Sequence, residues 1–207
     1  MISSRKELKF YIMADMMMNR GKFKWSIKDR IKHLFLPDYI MRYLKSMRFC
    51  EYLIVNQRIT PSHLFLKIYH GIRFRKLGLK LGFSIGSRSL GYGVVIPHYG
   101  TIVVGGSNRI GNYAVLHTST CISDNSKVIG DALYLATGAK MTSRLTLGDN
   151  VSVGANSLVN KSFPSGCMIA GAPAIRIKDA IAWYERDGEA YANKVKRIEE
   201  LKQKMNL

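Results

Sequence analysis

The fold is decided by a stretch that opens with VGGSNRIGNYAVLHTSTCI at residues 104–122 and continues to residue 159. Within it an aliphatic side chain returns at every sixth position, with a single seven-residue step. The aliphatic positions are Val104, Ile110, Leu116, Ile122, Val128, Leu135, Met141, Leu147, Val153 and Val159. A helix does not repeat at six residues, whereas a solenoid of short parallel strands stacks one such residue on the next. The stretch therefore predicts a parallel β-solenoid.

Glycines and an upstream extension of the same period support the solenoid. The glycines that follow an aliphatic position are Gly105, Gly111, Gly148 and Gly154, with Gly130 one residue late. A residue without a Cβ lets the chain turn there without a clash. The upstream aliphatic positions are Leu90, Ile96 and Ile102, after which the register slips by two residues. The solenoid is therefore expected to begin well before Val104.

Helical patterns flank the solenoid on both sides. Residues 1–80 carry apolar residues at three-and-four spacing, and Thr60 followed by Pro61 is typical of a helix start with Thr60 as its N-cap. Residues 177–207 return to helical spacing, with a break predicted at Asp187 and the glycine after it. The sequence thus predicts a basic α-helical arm over 1–80, a β-helix over 81–176 and C-terminal helices over 177–207.

The formal charge of the 207-residue chain is +18, and most of it lies in the arm. Residues 1–80 contain 18 lysines and arginines against 5 acidic residues. An anionic partner is therefore considered: nucleic acid, an acidic polymer or an anionic membrane surface. The arm has no recognisable nucleic-acid motif, and its basic residues alternate with aromatic residues and methionine. We expect no nucleic acid partner, whereas a membrane surface is compatible with this pattern.

Composition excludes several other classes of protein. A hydrophobic content of 47% argues against wholesale disorder, and no apolar run approaches the length that spans a bilayer. The first residues lead into no signal-type apolar core, so we expect no cleaved leader. Cys50, Cys121 and Cys167 are widely spaced and odd in number, which matches neither a disulfide framework nor a zinc site. We expect a cytoplasmic protein without a bound metal, with peripheral attachment at the inner membrane surface left open.

Three segments resemble the hexapeptide-repeat acyltransferases. They are IPHYGTIVVG at residues 96–105, IGNYAVL at 110–116 and AGAPAIR at 170–176. The first is similar to the catalytic turn of the serine acetyltransferase branch, and the second fits the same branch. The segment FRKLGLKLG at 74–82 is of the sort that precedes the solenoid in similar proteins of surface-polysaccharide clusters. The resemblance covers about residues 79–176 and implies a left-handed parallel β-helix with an N-terminal helical arm and a C-terminal helical tail.

The resemblance implies transfer of an acetyl group from acetyl-CoA, as co-substrate, to a hydroxyl group. An alcohol is a poor nucleophile at neutral pH, so a positioned base must take its proton during the attack. Histidine titrates near neutral pH and suits this role. His98 occupies the catalytic-histidine position of the family and is the expected general base. His117 is the second candidate: it binds the acceptor, assists His98 across a subunit interface, or lies on the surface without a role.

The resemblance also implies a groove between adjacent solenoids for the pantetheine chain of acetyl-CoA. The positions that match the groove are Gly138, Ala139, Gly154 and Ala155, and those that match the CoA phosphates are Lys161 and Arg176. Solenoid geometry alone also explains the glycines and alanines. Such a site needs two walls, and we expect the homotrimer that the resemblance implies, with a dimer of trimers left open.

Three departures from the serine acetyltransferase pattern concern the acceptor. Pro97 stands where the family has Asp before the catalytic histidine, and Phe83 replaces a further family Asp. Residues 118–126 continue without the insertion that carries an Arg-His pair. The sequence therefore predicts a hydroxyl of a saccharide or polysaccharide precursor as the acceptor, with free serine as the alternative. A non-enzymatic basic scaffold that binds nucleic acid or an anionic membrane is the alternative of another class.

Overall fold

The computed structural model describes residues 1–57 and 60–207 and shows a parallel β-solenoid between two helical segments. The helices are α1 (Arg5–Arg20), α2 (Ile27–Phe35), α3 (Tyr39–Val55), α4 (Pro61–Leu81), α5 (Trp183–Arg186) and α6 (Glu189–Lys204). The strands are β1 (Phe83–Ile85), β2 (Ile102–Val104), β3 (Arg109–Ile110), β4 (Val115–Leu116), β5 (Thr120–Ile122), β6 (Val128–Ile129), β7 (Tyr134–Leu135), β8 (Lys140–Met141), β9 (Thr146–Leu147), β10 (Ser152–Val153), β11 (Leu158–Val159), β12 (Cys167–Gly171) and β13 (Ala174–Asp179). The fold class expected from the hexads is confirmed.

The solenoid has three faces, each a sheet of stacked strands. Face 1 contains β1, β2, β5, β8 and β11; face 2 contains β3, β6 and β9; face 3 contains β4, β7, β10, β12 and β13. Neighbouring strands pair in parallel on every face, except that β13 runs antiparallel to β12. The chain visits the three faces in turn, so each circuit of about three hexads adds one strand to each face.

One position of the hexad column was assigned wrongly from the sequence. The side chain of Val128 is 55% exposed, whereas its neighbour Ile129 is buried in the solenoid core. The seven-residue step therefore lies between Ile122 and Ile129, and Gly130 follows its aliphatic residue directly, as the other glycines do. Strand β2 explains the two-residue slip at the start of the column, because the side chains of Ile102 and Val104 both point into the core.

Polar turns hold successive circuits together between faces 2 and 3. The backbone N–H of Asn112 donates to Asp131 at 2.7 Å, and the backbone N–H of Asp131 donates to Asp149 at 2.7 Å. Gly130 lies inside this stack, and a Cβ on it would come within 2.7 Å of the Asp149 backbone nitrogen. A side chain at this position would push the two circuits apart.

The helical arm shares its core with the solenoid. Methionine, tyrosine and aliphatic side chains of α1 and α3 join the same buried cluster as β1 and β2, with Tyr43 packed against Phe83. The guanidinium of Arg48 is fully buried, pairs with Asp15 at 2.8 Å and donates to the carbonyl oxygen of Leu90 at 2.7 Å. Helices α1 and α3 therefore anchor the first circuit and do not form a separate body. Helix α4 begins as expected, with the Thr60 hydroxyl accepting from the backbone N–H of His63 at 3.2 Å.

The C-terminal tail packs on face 3 and on helix α1. The break expected near Asp187 is present, because α5 ends at Arg186 and α6 begins at Glu189. The buried Trp183 indole donates to the carbonyl oxygen of Tyr113 at 2.7 Å, which fixes the tail to the solenoid wall. Within residues 1–57 and 60–207, no helix has the length and apolar character needed to cross a bilayer.

Candidate active site

The candidate catalytic histidines lie where the chain passes from face 3 to face 1. The strand register sets Val95 beside Val115, Val115 beside Tyr134, and Tyr134 beside Ser152. The segments that leave these positions stack above one another at one edge of the solenoid. We call this edge the histidine corner; it comprises residues 97–101, 117–119, 136–138 and 154–156. The backbone N–H of Gly138 donates to Thr118 O at 3.1 Å and that of Asn156 donates to Thr137 O at 2.9 Å, which ties its levels together.

His98 sits at the exposed start of this corner. Ile96, two residues before His98, is held by two contacts. Its side chain is buried, and its backbone N–H donates to the side-chain oxygen of Asn19 at 3.1 Å. After the turn, the backbone N–H of Gly100 donates to the carbonyl oxygen of Leu81 at 2.9 Å. No group in the described part of the chain hydrogen-bonds the His98 ring. The imidazole is thus exposed on a backbone that is held on both sides of the turn.

His117 lies on the next circuit of the same corner and is half-buried. Its ring centroid is 5.2 Å from that of Tyr134 on face 3. Burial lowers the pKa of His117, and the neighbouring charge of His98 lowers it further, while Asp187 acts in the opposite direction. The environment therefore favours the neutral form of His117, which can accept a proton.

The C-terminal tail places Arg186 and Asp187 beside Tyr134 and Ser152 of face 3. Arg186 donates from Nη1 to the Ser152 hydroxyl at 3.0 Å, and its guanidinium lies 4.7 Å from the Tyr134 ring centroid. Asp187 is 2.7 Å from Nε of Arg186 and is the carboxylate that raises the pKa of His117. These contacts place a carboxylate near the histidines although Pro97 removes the one expected beside His98.

Three of the four positions expected at the acetyl-CoA groove lie at the histidine corner. Gly138 is buried with a φ of 77°, a conformation that favours glycine, and Gly154 and Ala155 lie at the level of the next circuit. Ala139 is different, because its methyl group is 0% exposed and belongs to the solenoid core. Its backbone N–H and C=O are both used within the solenoid as well. Ala139 therefore has no surface for a ligand, and its side chain fills the core.

The two cations expected to meet the CoA phosphates are not at the histidine corner. Lys161 follows β11 and lies where the chain passes from face 1 to face 2, with its Nζ 5.7 Å from the Phe163 ring centroid. Arg176 lies on β13 and forms an ion pair with Asp179. Both side chains are exposed in the single chain. The structure thus brings His98 and His117 together and leaves these cations on other surfaces of the same chain.

Several residues around the corner were missed by sequence reasoning. They are Asn19, Tyr134, Arg186 and Asp187. Asn19 lies in a helix 79 residues before His98, and the tail residues lie about 90 residues after it. No local motif links such positions, because only the packing of α1 and the tail onto the solenoid brings them near. The described residues contain no cluster of three or more side chains suited to hold a metal ion.

Comparison with known proteins gives the class to which this fold corresponds. No family model matches the chain. The serine acetyltransferase of Staphylococcus xylosus is 31% identical over 112 residues, which cover 51% of this chain and 50% of that protein. The serine acetyltransferase of Synechococcus elongatus is 29% identical over 91 residues, covering 41% and 37%. The chain thus spans half or less of the length of these curated relatives.

The similarity of fold extends further along the chain than the similarity of sequence. The serine acetyltransferase of Neisseria gonorrhoeae superposes with a TM-score of 0.64 at 17% identity, over 86% of this chain and 69% of that one. The soybean apoenzyme gives 0.63 at 19% identity, over 82% and 69%. The chain thus has the fold of these serine acetyltransferases. Its sequence is similar to serine acetyltransferases as well, as its motifs indicate.

Proposed function

We propose that this chain transfers an acetyl group from acetyl-CoA to a hydroxyl group, with His98 as the general base. The observation that carries the proposal is the pairing of His98 and His117 on successive circuits of one exposed corner. In the proposed reaction, the neutral imidazole of His98 takes the hydroxyl proton as the oxygen attacks the thioester carbonyl. The bond to sulfur then breaks, and the protonated His98 returns the proton to the CoA thiolate.

Acetyl-CoA as the donor is supported by the relatives and by the corner itself. One serine acetyltransferase of the same fold was solved as a complex with CoA; it superposes with a TM-score of 0.59 at 18% identity. In this chain, Gly138, Gly154 and Ala155 give the corner a wall of small residues beside the histidines. A thin pantetheine chain can approach backbone N–H groups there, and such groups can also stabilise the oxyanion of the tetrahedral intermediate.

Free serine is the acceptor that the comparisons favour, because the curated relatives are named serine acetyltransferases. One of the three sequence arguments against serine is also weaker than expected. Phe83 lies inside the solenoid core against Tyr43, so its side chain does not line the histidine corner and does not report on the acceptor. The order of the two acceptors inferred from sequence alone is therefore reversed in this proposal.

A hydroxyl of a saccharide precursor is the second candidate, and two observations favour it. Pro97 leaves no carboxylate directly before His98. Residues 118–126 form the next corner and strand β5 without an inserted loop, so no Arg-His pair extends over the site from this segment. A site without those charges is better suited to a neutral acceptor than to a zwitterion.

A homotrimer completes the proposed site. His98 and Tyr99 are exposed in the single chain, and Tyr99 is 76% exposed. In a trimer, the solenoid wall of a neighbouring subunit would cover this corner and exclude water around the thioester. Light scattering on the purified chain would give about three times the subunit mass.

The proposal is tested by following release of the CoA thiol from acetyl-CoA with serine and, separately, with a panel of saccharides. His98→Ala is expected to lower turnover by about a hundredfold or more, as is usual for loss of a general base. His33→Gln, a substitution on helix α2 outside the histidine corner, is the control and should leave turnover unchanged. Turnover by His98→Ala equal to that of the wild type would contradict the assignment. A rate with saccharides but none with serine would select the second acceptor.

A further inference from the structure

Helix α2 presents an apolar face that nothing in the described chain covers. None of its nine residues is buried. The exposed large apolar residues on and just after this helix are Ile27, Ile31, Leu34, Phe35 and Leu36. Positions 27, 31, 34 and 35 fall on one side of a helix, and Phe35 is 80% exposed. None of these apolar side chains is buried in the protein core, so the face is available to an external partner.

Helix α4 continues the same kind of surface. Of its 21 residues only Gly78 and Leu81 are buried. Its exposed large apolar residues are Leu64, Phe65, Leu66, Ile68, Tyr69, Ile72 and Leu79. Most of them recur at three-and-four spacing along the length of the helix. The apolar area is thus too extended to be an accident of single exposed side chains.

The two helices lie on the same side of the arm. Arg30 and His33 of α2 and Arg73 of α4 line one shared cavity together with Arg42 of α3. Arg42 also donates from Nη2 to the carbonyl oxygen of His33 at 2.9 Å, which holds the end of α2 against α3. Helices α2 and α4 therefore border the same cavity, and their exposed residues are together called the α2–α4 surface.

The charge on the α2–α4 surface has a single sign. Its exposed cations are Lys28, Arg30 and Lys32 on α2 and Lys67, Arg75, Lys76 and Lys80 on α4. The acidic residue of α2, Asp29, is already paired with Lys22 at 2.8 Å and caps the helix. Between positions 52 and 123 the sequence contains no Asp or Glu at all. The surface is thus apolar and cationic together.

We propose that the α2–α4 surface docks on a membrane that contains anionic lipids. An interfacial helix buries its apolar side chains at the boundary of the head groups while lysine and arginine side chains reach the lipid phosphates. A second copy of the same surface would also cover the apolar residues, but it would bring two sets of cations face to face. A bilayer supplies apolar volume and negative charge at once, so charge complementarity selects it.

A neighbouring cavity has the same character. It has a volume of about 860 Å³ and lies between α1, α3 and α4, with Leu66 of the α2–α4 surface in its lining. Its other lining residues include Leu8, Ile12, Met13, Phe49 and Leu53, and its charged lining residues are Arg5, Lys9, Lys24 and Lys45. The charged groups around this apolar space are again all cations, which suits contact with anionic amphiphiles.

The test is co-sedimentation of the full chain with vesicles of phosphatidylcholine alone and of phosphatidylcholine with phosphatidylglycerol at 3:1. We expect binding to the anionic vesicles to be at least about tenfold stronger and to weaken as salt is raised. Leu34→Ser with Phe35→Ser should lower binding by about tenfold or more. Lys28→Gln with Lys32→Gln should reduce the preference for anionic lipid.

Matched substitutions elsewhere on the surface separate docking from general stickiness. Val128→Ser with Ile181→Ser removes two exposed apolar residues outside the arm, and Arg144→Gln with Lys196→Gln removes two exposed cations. Both controls should bind vesicles as the wild type does. Because α2 has no buried residue, its variants should keep the wild-type melting temperature.

Three results would overturn the proposal. The first is equal binding of the wild type to neutral and anionic vesicles, and the second is unchanged binding by the Leu34→Ser, Phe35→Ser variant. The third is the absence of vesicle binding by the wild type; a drop in oligomer mass for the variant would then make the surface a contact between copies of this chain. None of these readouts depends on acetyl transfer.

Discussion

The side-chain amide of Asn19 takes the hydrogen-bonding place that a neighbouring strand would have beside Ile96. Its oxygen accepts from the Ile96 backbone N–H at 3.1 Å. Its nitrogen donates to the carbonyl oxygen of Val94 at 2.7 Å. Helix α1 thus holds both backbone groups of the segment that leads into His98. A helix of the arm therefore orients the proposed base from the first circuit of the solenoid, where no earlier circuit is present to do so.

Replacing Asn19 should affect both stability and turnover. Asn19→Leu leaves the buried carbonyl of Val94 and N–H of Ile96 without partners, and we expect a loss of about 1–3 kcal/mol in the free energy of unfolding. The segment before His98 loosens, so kcat should fall by about tenfold or more while KM changes less. Urea denaturation and steady-state kinetics measure the two effects. Asn125→Ala removes a side-chain amide hydrogen bond of similar length from an exposed turn, and it should change neither stability nor turnover.

The buried pair of Arg48 and Asp15 should be far more important for stability than an exposed pair of the same kind. Arg48→Met leaves the Asp15 carboxylate buried without its partner, and a loss of about 3–5 kcal/mol in the free energy of unfolding is expected. Arg176→Met breaks the exposed pair with Asp179 and should cost at most about 1 kcal/mol. Equal losses in the two variants, measured by urea denaturation, would contradict the anchoring role of Arg48.

The lowered pKa of His117 predicts a dependence of stability on pH. Because the folded state holds this pKa below its ordinary value, the unfolded chain takes up the proton first as pH falls. The stability of the wild type should therefore decrease as pH drops below about 6.5 and level off below the folded pKa. His117→Gln should show a smaller decrease. A residual decrease is expected from His70, whose pKa burial also lowers.

The influence of Asp187 on His117 can be measured directly. The carboxylate raises the pKa of His117, so Asp187→Asn should lower that pKa further. Titration of the imidazole resonances by NMR gives the value in each variant. Asp179→Asn, which neutralises an exposed carboxylate on strand β13, is the matched control and should leave the His117 titration in place. An unchanged pKa in the Asp187 variant would show that the tail does not act on this histidine.

The corrected hexad register is tested by two neighbouring substitutions. Ile129→Ala removes a side chain from the solenoid core and should cost about 2–5 kcal/mol in the free energy of unfolding. Val128→Ala trims an exposed side chain and should change stability by no more than about 0.5 kcal/mol. The opposite order in urea denaturation would restore the register inferred from sequence.

The sequence alone predicted the solenoid because its signal is local and repeated. Each aliphatic residue stacks on the one a circuit earlier, so a single error at Val128 did not disturb the rest of the column. The proximity of His98 and His117 could also be predicted from the sequence, since one circuit of nearly constant length separates them. The positions of Asn19 and Asp187 could not be predicted, because these residues reach the corner through packing between segments that share no repeat.

Helix packing shows the same limit. The basic charge of residues 1–80 indicated a separate arm, yet α1 and α3 share the solenoid core through Tyr43 and Arg48. Charge is a property of the solvent-facing surface, and it does not report which helices bury their other side. The basic charge instead indicated the surface of α2 and α4, where few residues are buried.

The antiparallel strand β13 ends the stack of parallel strands on face 3. A stack of parallel strands invites another chain to add at its open end, which is the geometry of a growing fibre. Here the last strand on face 3 runs in the opposite direction, and it carries Arg176, Lys178 and Asp179 at the edge. A further circuit would meet three charged side chains at this edge, which disfavours addition of another strand there. The charged edge of β13 therefore disfavours end-to-end polymerisation on that face.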